Sequence, residues 1–261
     1  MQKSYEKADH FVADEDIVES LKSEASAVSP ETQGKLEELA KDVANDILQE
    51  YGSHMSDAAK ERVENLPKRV LVLEEADFSE TLRAWLPKRQ HVGDNAAGTY
   101  VLMGDFIVLS NERTDLEHRV SNFLSAYPEA DKEIARQVIL KMSLIKSLAH
   151  EIVHAHQDSK DTTEHDDLRA YYSRLAFDEC GVAFITEEIC NKMFPERLNI
   201  SYHREEERRD YFKHLKDKYG EEIYDILFVK VPQNDEASYL EREAGILSEF
   251  PHEKKKDLGI Y

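Results

Sequence analysis

Apolar residues recur at three- and four-residue intervals along most of the chain, the spacing that lines one face of an α-helix. Ser29-Pro30 is typical of a helix start, because proline is tolerated in the first turn, and Phe194-Pro195 is typical of a helix end. The helices predicted in this way cover residues 30–50, 56–65, 78–85, 116–124, 133–157, 168–193, 204–219, 221–228 and 236–247.

Three short runs predict β-strands. The first, Val70-Leu71-Val72-Leu73, is apolar throughout, and we expect it to be a central strand. Residues 98–103 and 106–110 predict two more strands. The Gly104-Asp105 pair between them fits the type II′ turn of a β-hairpin. The expected fold class is therefore α+β, mostly helical with a small mixed β-sheet.

Two changes in the sequence pattern divide the chain into three parts: strand-like apolar runs begin near residue 67, and the helix predicted at residues 168–193 ends at Phe194-Pro195. Residues 1–66 predict an N-terminal helical segment, 67–193 the core that carries the strands, and 194–261 a C-terminal helical extension. At 261 residues, the three parts can also share one core as a single continuous domain.

Charge and cysteine content limit the possible partners and compartments. The formal net charge is −20, so the surface cannot neutralise phosphates, and we expect no nucleic acid and no anionic membrane as partner. No run has the length and apolar character of a signal peptide or a membrane span. Cys180 and Cys190 lie ten residues apart in one predicted helix, too far apart to form a disulfide. A cytoplasmic protein of unknown oligomeric state is expected.

The helix predicted at residues 133–157 carries the sequence His150-Glu151-x-x-His154. Successive helical residues are about 100° apart, so His150 and His154 lie one turn apart on the same face. Two neutral imidazoles placed in this way can bind one Zn²⁺ ion. Glu151 lies on the adjoining flank, where its carboxylate can accept a proton from water without binding the metal. The alternative interpretation is a pair of hydrogen-bonded core histidines.

Catalytic zinc usually has three protein ligands. One known continuation of the motif needs Gly and His where this chain has Gln157 and Lys160, so we looked to the next helix. Glu179 lies there on an apolar stripe, where a carboxylate is costly unless it is paired or binds a metal. We expect Glu179 to be the third ligand. The alternative is a glutamate at the border of the core that extends to solvent or pairs with Arg174 or Lys192.

Several neighbouring residues have weaker predicted roles. Gly181 is expected to let the Glu179 helix approach the motif helix closely. His156 points away from the metal face, Asp178 is a poor alternative ligand, and Cys180 is expected to be a core thiol. A second oxyanion donor is also needed. The candidates, among which the sequence does not choose, are Tyr171, Tyr172, Tyr202 and His203.

Residues 69–192 resemble the gluzincin metallopeptidases, particularly their minimal members. The resemblance rests on the strand, the hairpin, the His150-to-His154 helix and the Glu179 helix. It implies a zincin-like fold whose hairpin edge strand holds the substrate as an added strand. This chain departs from the family at Ala183, where many gluzincins have an aspartate that supports the first histidine.

The chemistry of the motif and the resemblance together predict a zinc-dependent metallopeptidase acting on a peptide or protein. His150, His154 and Glu179 would hold Zn²⁺, and a zinc-activated water would attack the peptide bond with Glu151 as general base. The alternative is a zincin-like metal-binding module that serves regulation or interaction and has no peptidase activity.

Overall fold

The structure is a computed structural model. It describes residues 30–73, 78, 98–101, 106–110, 120–122, 124–125, 131–157, 168–193, 203–232 and 235–260. The helices are α1 (Pro30–Tyr51), α2 (Asp57–Asn65), α3 (Lys132–Gln157), α4 (Leu168–Met193), α5 (His203–Tyr219), α6 (Glu222–Leu227), α7 (Glu236–Leu247) and α8 (His252–Asp257). The strands are β1 (Val70–Leu73), β2 (Gly98–Val101) and β3 (Phe106–Ser110).

The described part of the chain is mostly helical with a small mixed sheet, as the sequence predicts. The bounds of α4 and α7 match the predicted ones, and those of α1, α3, α5 and α6 agree to within one or two residues. Ser56 accepts a hydrogen bond from the amide of Ala59 and so caps α2. The short helix α8 was not predicted. The predicted hairpin turn and most of the predicted helix at 78–85 lie outside the described residues.

The sheet order is β1-β3-β2, with β1 parallel and β2 antiparallel to β3. Among the described strands β3 occupies the centre and β1 an edge, so for this part of the sheet the prediction that residues 70–73 form a central strand is wrong. A continuous apolar run indicates burial on both faces rather than a position in the strand order. Successive residues of β1 are indeed buried, including Val70, Leu71 and Val72, and α1 packs against this strand.

One hydrophobic core joins the described helices and the sheet. Helix α3 packs against α4 and against β2 and β3, and α5 packs along α4. Arg62 of α2 also donates a 2.8 Å hydrogen bond to the carbonyl oxygen of Ala155 near the end of α3. Among the helices of the described part, none is both long enough and apolar enough to cross a membrane.

Candidate metal centre

Helix α3 presents its two motif histidines at the border of the core. Its buried face carries Ile145, Leu148 and Ile152, which are fully buried, whereas His150 and His154 are half-buried. The two imidazole Nε2 atoms lie 3.1 Å apart, so both rings point towards the same place. The helical spacing of the motif thus produces the convergence expected from the sequence.

Helix α4 brings the predicted third ligand to the same place. One carboxylate oxygen of Glu179, Oε1, lies 3.4 Å from Nε2 of His154. The three ligand atoms offered by His150, His154 and Glu179 all lie within 4.8 Å of one another. A tetrahedral zinc ion with bonds of about 2.0–2.1 Å holds its ligand atoms about 3.3–3.4 Å apart. The separations of 3.1 Å and 3.4 Å at His154 are compatible with that geometry.

Arg208 of α5 binds the other oxygen of Glu179, which the sequence analysis did not foresee. Its Nη1 donates to Glu179 Oε2 at 2.7 Å. Its Nε donates to the carbonyl oxygen of Leu258 at 3.0 Å, and Nη2 to that of Gly259 at 3.4 Å. The carboxylate is thus held from the side opposite His154. Arg208 lies 29 residues beyond Glu179 on another helix, so no local pattern connects the two.

The ion pairs considered as an alternative role for Glu179 are formed elsewhere. Arg174 is buried and pairs with Asp178 at 2.8 Å, and Lys192 pairs with Asp46 at 2.8 Å. Glu179 therefore does form an ion pair, as the alternative interpretation expected, but with Arg208 and not with Arg174 or Lys192. Asp178, the weaker candidate ligand, points to Arg174.

The motif glutamate contacts the sheet. Glu151 is buried, and its Oε2 accepts a 2.7 Å hydrogen bond from the backbone amide of Tyr100 in β2. Gly98 lies beside it: a Cβ atom added there would be 2.7 Å from Cδ2 of Leu109 and 3.4 Å from Cγ of Glu151. The missing side chain of Gly98 therefore leaves space for Leu109 of β3, a role that the sequence analysis did not assign.

The electrostatic surroundings keep one ligand candidate neutral. Burial lowers the pKa of His150 well below its usual range, and the positive charges of His154, Lys146 and Arg208 act in the same direction. A neutral imidazole is the form that binds a metal, so His150 needs to lose no proton at neutral pH. Burial also raises the pKa of the Cys180 thiol strongly, in keeping with its predicted role in the core.

Gly181 does not have the predicted role. A Cβ atom added there would lie 2.5 Å from Leu227 of α6 and 3.0 Å from Phe212 of α5, so this glycine faces those helices and not α3. The physical reason is that residues two apart on a helix point about 200° apart, so Gly181 and Glu179 lie on opposite faces.

Two of the four candidate oxyanion donors lie on α4. Tyr171 and Tyr172 are half-buried on α4 and stack edge to face with ring centres 5.3 Å apart. The other two candidates, Tyr202 and the side chain of His203, lie outside the described residues. Tyr172 lies two helical turns before Glu179 and so shares its face.

Comparisons with protein-family models, with curated proteins and with solved structures yield no match to this chain. The gluzincin resemblance therefore stays a prediction that rests on the motif residues.

Proposed function

We propose that this chain is a zinc-dependent metallopeptidase in which His150, His154 and Glu179 bind Zn²⁺. The observation that carries the proposal is the convergence of two imidazole nitrogens and one carboxylate within 4.8 Å. These groups come from α3 and α4 and are separated by up to 29 positions, so their meeting is a property of the fold.

Residues of the chain would supply the general base and the substrate-binding strand. Bound Zn²⁺ would supply a Lewis acid that polarises a carbonyl and lowers the pKa of water towards about 7. Glu151 would accept the proton of the attacking water and pass it to the leaving amine. Strand β2, at the edge of the described sheet, would hold an extended peptide through backbone hydrogen bonds.

The proposal extends to substrate and compartment. A net charge of −20 favours peptides or proteins over nucleic acids and anionic membranes as partners. Cys180 and Cys190 are both unpaired thiols. Unpaired thiols are typical of a reducing compartment, and we therefore propose the cytoplasm.

A regulatory or interaction module without peptidase activity is the second candidate. The observation in its favour is the ion pair between Arg208 and Glu179, which neutralises this carboxylate without any metal. The two candidates differ in whether Glu151 takes part in a reaction.

Substitution of Glu151 separates the two. Because Glu151 would be a base and not a ligand, Glu151→Gln should keep one zinc per chain and abolish peptide hydrolysis, as measured by elemental analysis and by cleavage of a peptide library. His150→Ala and His154→Ala should each lose the zinc. Glu133→Gln, an exposed change on the same helix, should alter neither property. Cleavage by Glu151→Gln at the parent rate would contradict the mechanism, and an inactive parent that binds zinc would favour the module.

A further inference from the structure

The hydrogen bond to Glu151 shows which way the backbone amide of Tyr100 points. Tyr100 lies opposite Ile107 in the antiparallel pair of β2 and β3. Its N–H bonds to Glu151 at 2.7 Å and therefore faces away from β3. Backbone amides alternate in direction along a strand, so the N–H groups of Thr99 and Val101 face β3 instead. The outward edge of β2 thus faces the flank of α3.

The close approach of β2 to α3 places this amide within reach of Glu151. The Cβ atom absent at Gly98 would lie 3.3 Å from the carbonyl oxygen of Val108 and close to both Leu109 and Glu151. A side chain there would have to displace Leu109, whereas its distance of 3.4 Å from Cγ of Glu151 would be an ordinary contact. Gly98 therefore leaves space for Leu109 and lies within contact distance of Glu151.

We propose that the backbone amide of Tyr100 is the positioning group of Glu151. This inference rests on the proposed function, in which Glu151 is the general base. A glutamate has three rotatable side-chain bonds, and a fixed donor on a sheet restricts them. The strand that would hold the substrate would then also orient the base.

Amide hydrogen exchange of the full chain tests the bond without any metal or substrate. In Glu151→Met, which keeps the length of the side chain but removes the acceptor, the Tyr100 amide should exchange about tenfold faster or more. In Glu151→Gln, whose amide oxygen can still accept, it should remain protected. The amides of Thr99 and Val101 face β3 and are internal controls that should not change. Equal exchange at Tyr100 in the parent and Glu151→Met would overturn the inference.

A pair of substitutions at Tyr100 tests the positioning role. Tyr100→Ala removes the buried ring and keeps the N–H, whereas Tyr100→Pro removes both. Proline is tolerated at an edge strand where the N–H faces away from the ladder, so the sheet can persist. Both variants should bind zinc as the parent does. Tyr100→Pro should have a kcat about 100-fold below that of Tyr100→Ala with a similar KM, because the base is displaced.

The outcomes separate this inference from the proposed function. Equal kcat values for the two variants of an active parent would overturn the positioning role alone. If Tyr100→Pro fails to fold, the exchange measurement on Glu151→Met decides the inference: a Tyr100 amide that stays as protected as in the parent would overturn it. A parent that binds zinc and cleaves no peptide overturns both proposals, and the exchange result then reports a structural hydrogen bond.

Discussion

At the scale of single residues, the Glu179 carboxylate is divided between two partners. Oε1 faces His154, and Oε2 accepts from Arg208, which is itself bound to two backbone carbonyl oxygens near the chain's C-terminal end. Only about a fifth of the Glu179 side chain is exposed. This fixed carboxylate leaves one oxygen directed at the two histidines.

Replacement of Glu179 should therefore weaken zinc binding strongly. Glu179→Ala removes the only anionic member of the donor set and should lower zinc affinity by orders of magnitude, as measured by competition with a chelator. Glu179→Gln keeps the volume and should weaken binding as well. Glu187→Ala is the matched control on the same helix, since Glu187 pairs with Arg209 at 2.5 Å. Equal zinc affinity in the parent and Glu179→Ala would place the third ligand elsewhere.

The lowered pKa of His150 predicts a pH dependence of stability in the metal-free protein. Its ordinary pKa is 6.5, and burial keeps the folded value well below this. Below about pH 6.5 the unfolded chain takes up a proton at this position and the folded chain does not, so stability falls as the pH falls. Urea unfolding from pH 8 to 5 measures the effect. His150→Gln should lose less unfolding free energy than the parent between pH 8 and pH 5. If the parent and His150→Gln show the same dependence of unfolding free energy on pH, His150 is not the group responsible.

At the scale of elements, α4 connects the candidate site to the rest of the helical core. One of its faces carries Glu179 towards α3, while Arg174 on another face is buried among α6 and α7. Arg174 pairs with Asp178 and with Glu243 of α7, and it donates to the carbonyl oxygen of Ile226. A buried guanidinium with this many partners holds three helices in one arrangement.

Loss of that cation should destabilise the fold. Arg174→Ala leaves the buried carboxylates of Asp178 and Glu243 without their counter-charge, which should cost about 3–5 kcal/mol of unfolding free energy. Arg209→Ala is the control: its ion pair with Glu187 is more exposed, and its loss should cost about 0–1 kcal/mol. Urea unfolding of both variants measures their unfolding free energies. Equal losses of unfolding free energy in Arg174→Ala and Arg209→Ala would mean that the burial of an ion pair does not determine how much its removal destabilises the fold.

Among the elements and their contacts, those that depend on local sequence could be predicted and those that join distant segments could not. Local signals suffice for helix ends: apolar periodicity and Pro195 predict α4 to the residue, and the His150-to-His154 spacing predicts two converging imidazoles. The central position of β3 depends on which strands pair, which no local signal encodes. The contacts of Arg208 with Glu179 and of Tyr100 with Glu151 likewise join distant segments. The role of Gly98 depends on the close packing of Leu109 of β3 against it, which no local signal encodes.

At the scale of the whole molecule, the core crosses all three segments into which the sequence was divided. The same cluster of buried residues includes Ile47 of α1, Ile152 of α3 and Leu258 after α8. Phe250, which follows α7, stacks on Phe177 of α4 with ring centres 6.3 Å apart. The C-terminal part thus packs directly on the helix that carries Glu179.

This packing predicts that the described helices unfold as one unit together with the proposed zinc site. Phe250 is 2% exposed, and Phe250→Ala should lower the unfolding free energy by about 3–5 kcal/mol, because it leaves a cavity against α4. In thermal unfolding, loss of helical signal and release of zinc should coincide and should both shift to lower temperature. The control, Leu240→Ala, changes an exposed leucine of the same C-terminal part and should cost about 0.5 kcal/mol or less. In the opposite outcome, Phe250→Ala would lose part of its helical signal at a lower temperature than the parent but would release zinc at the same temperature. That result would show that residues 67–193 form a separate domain.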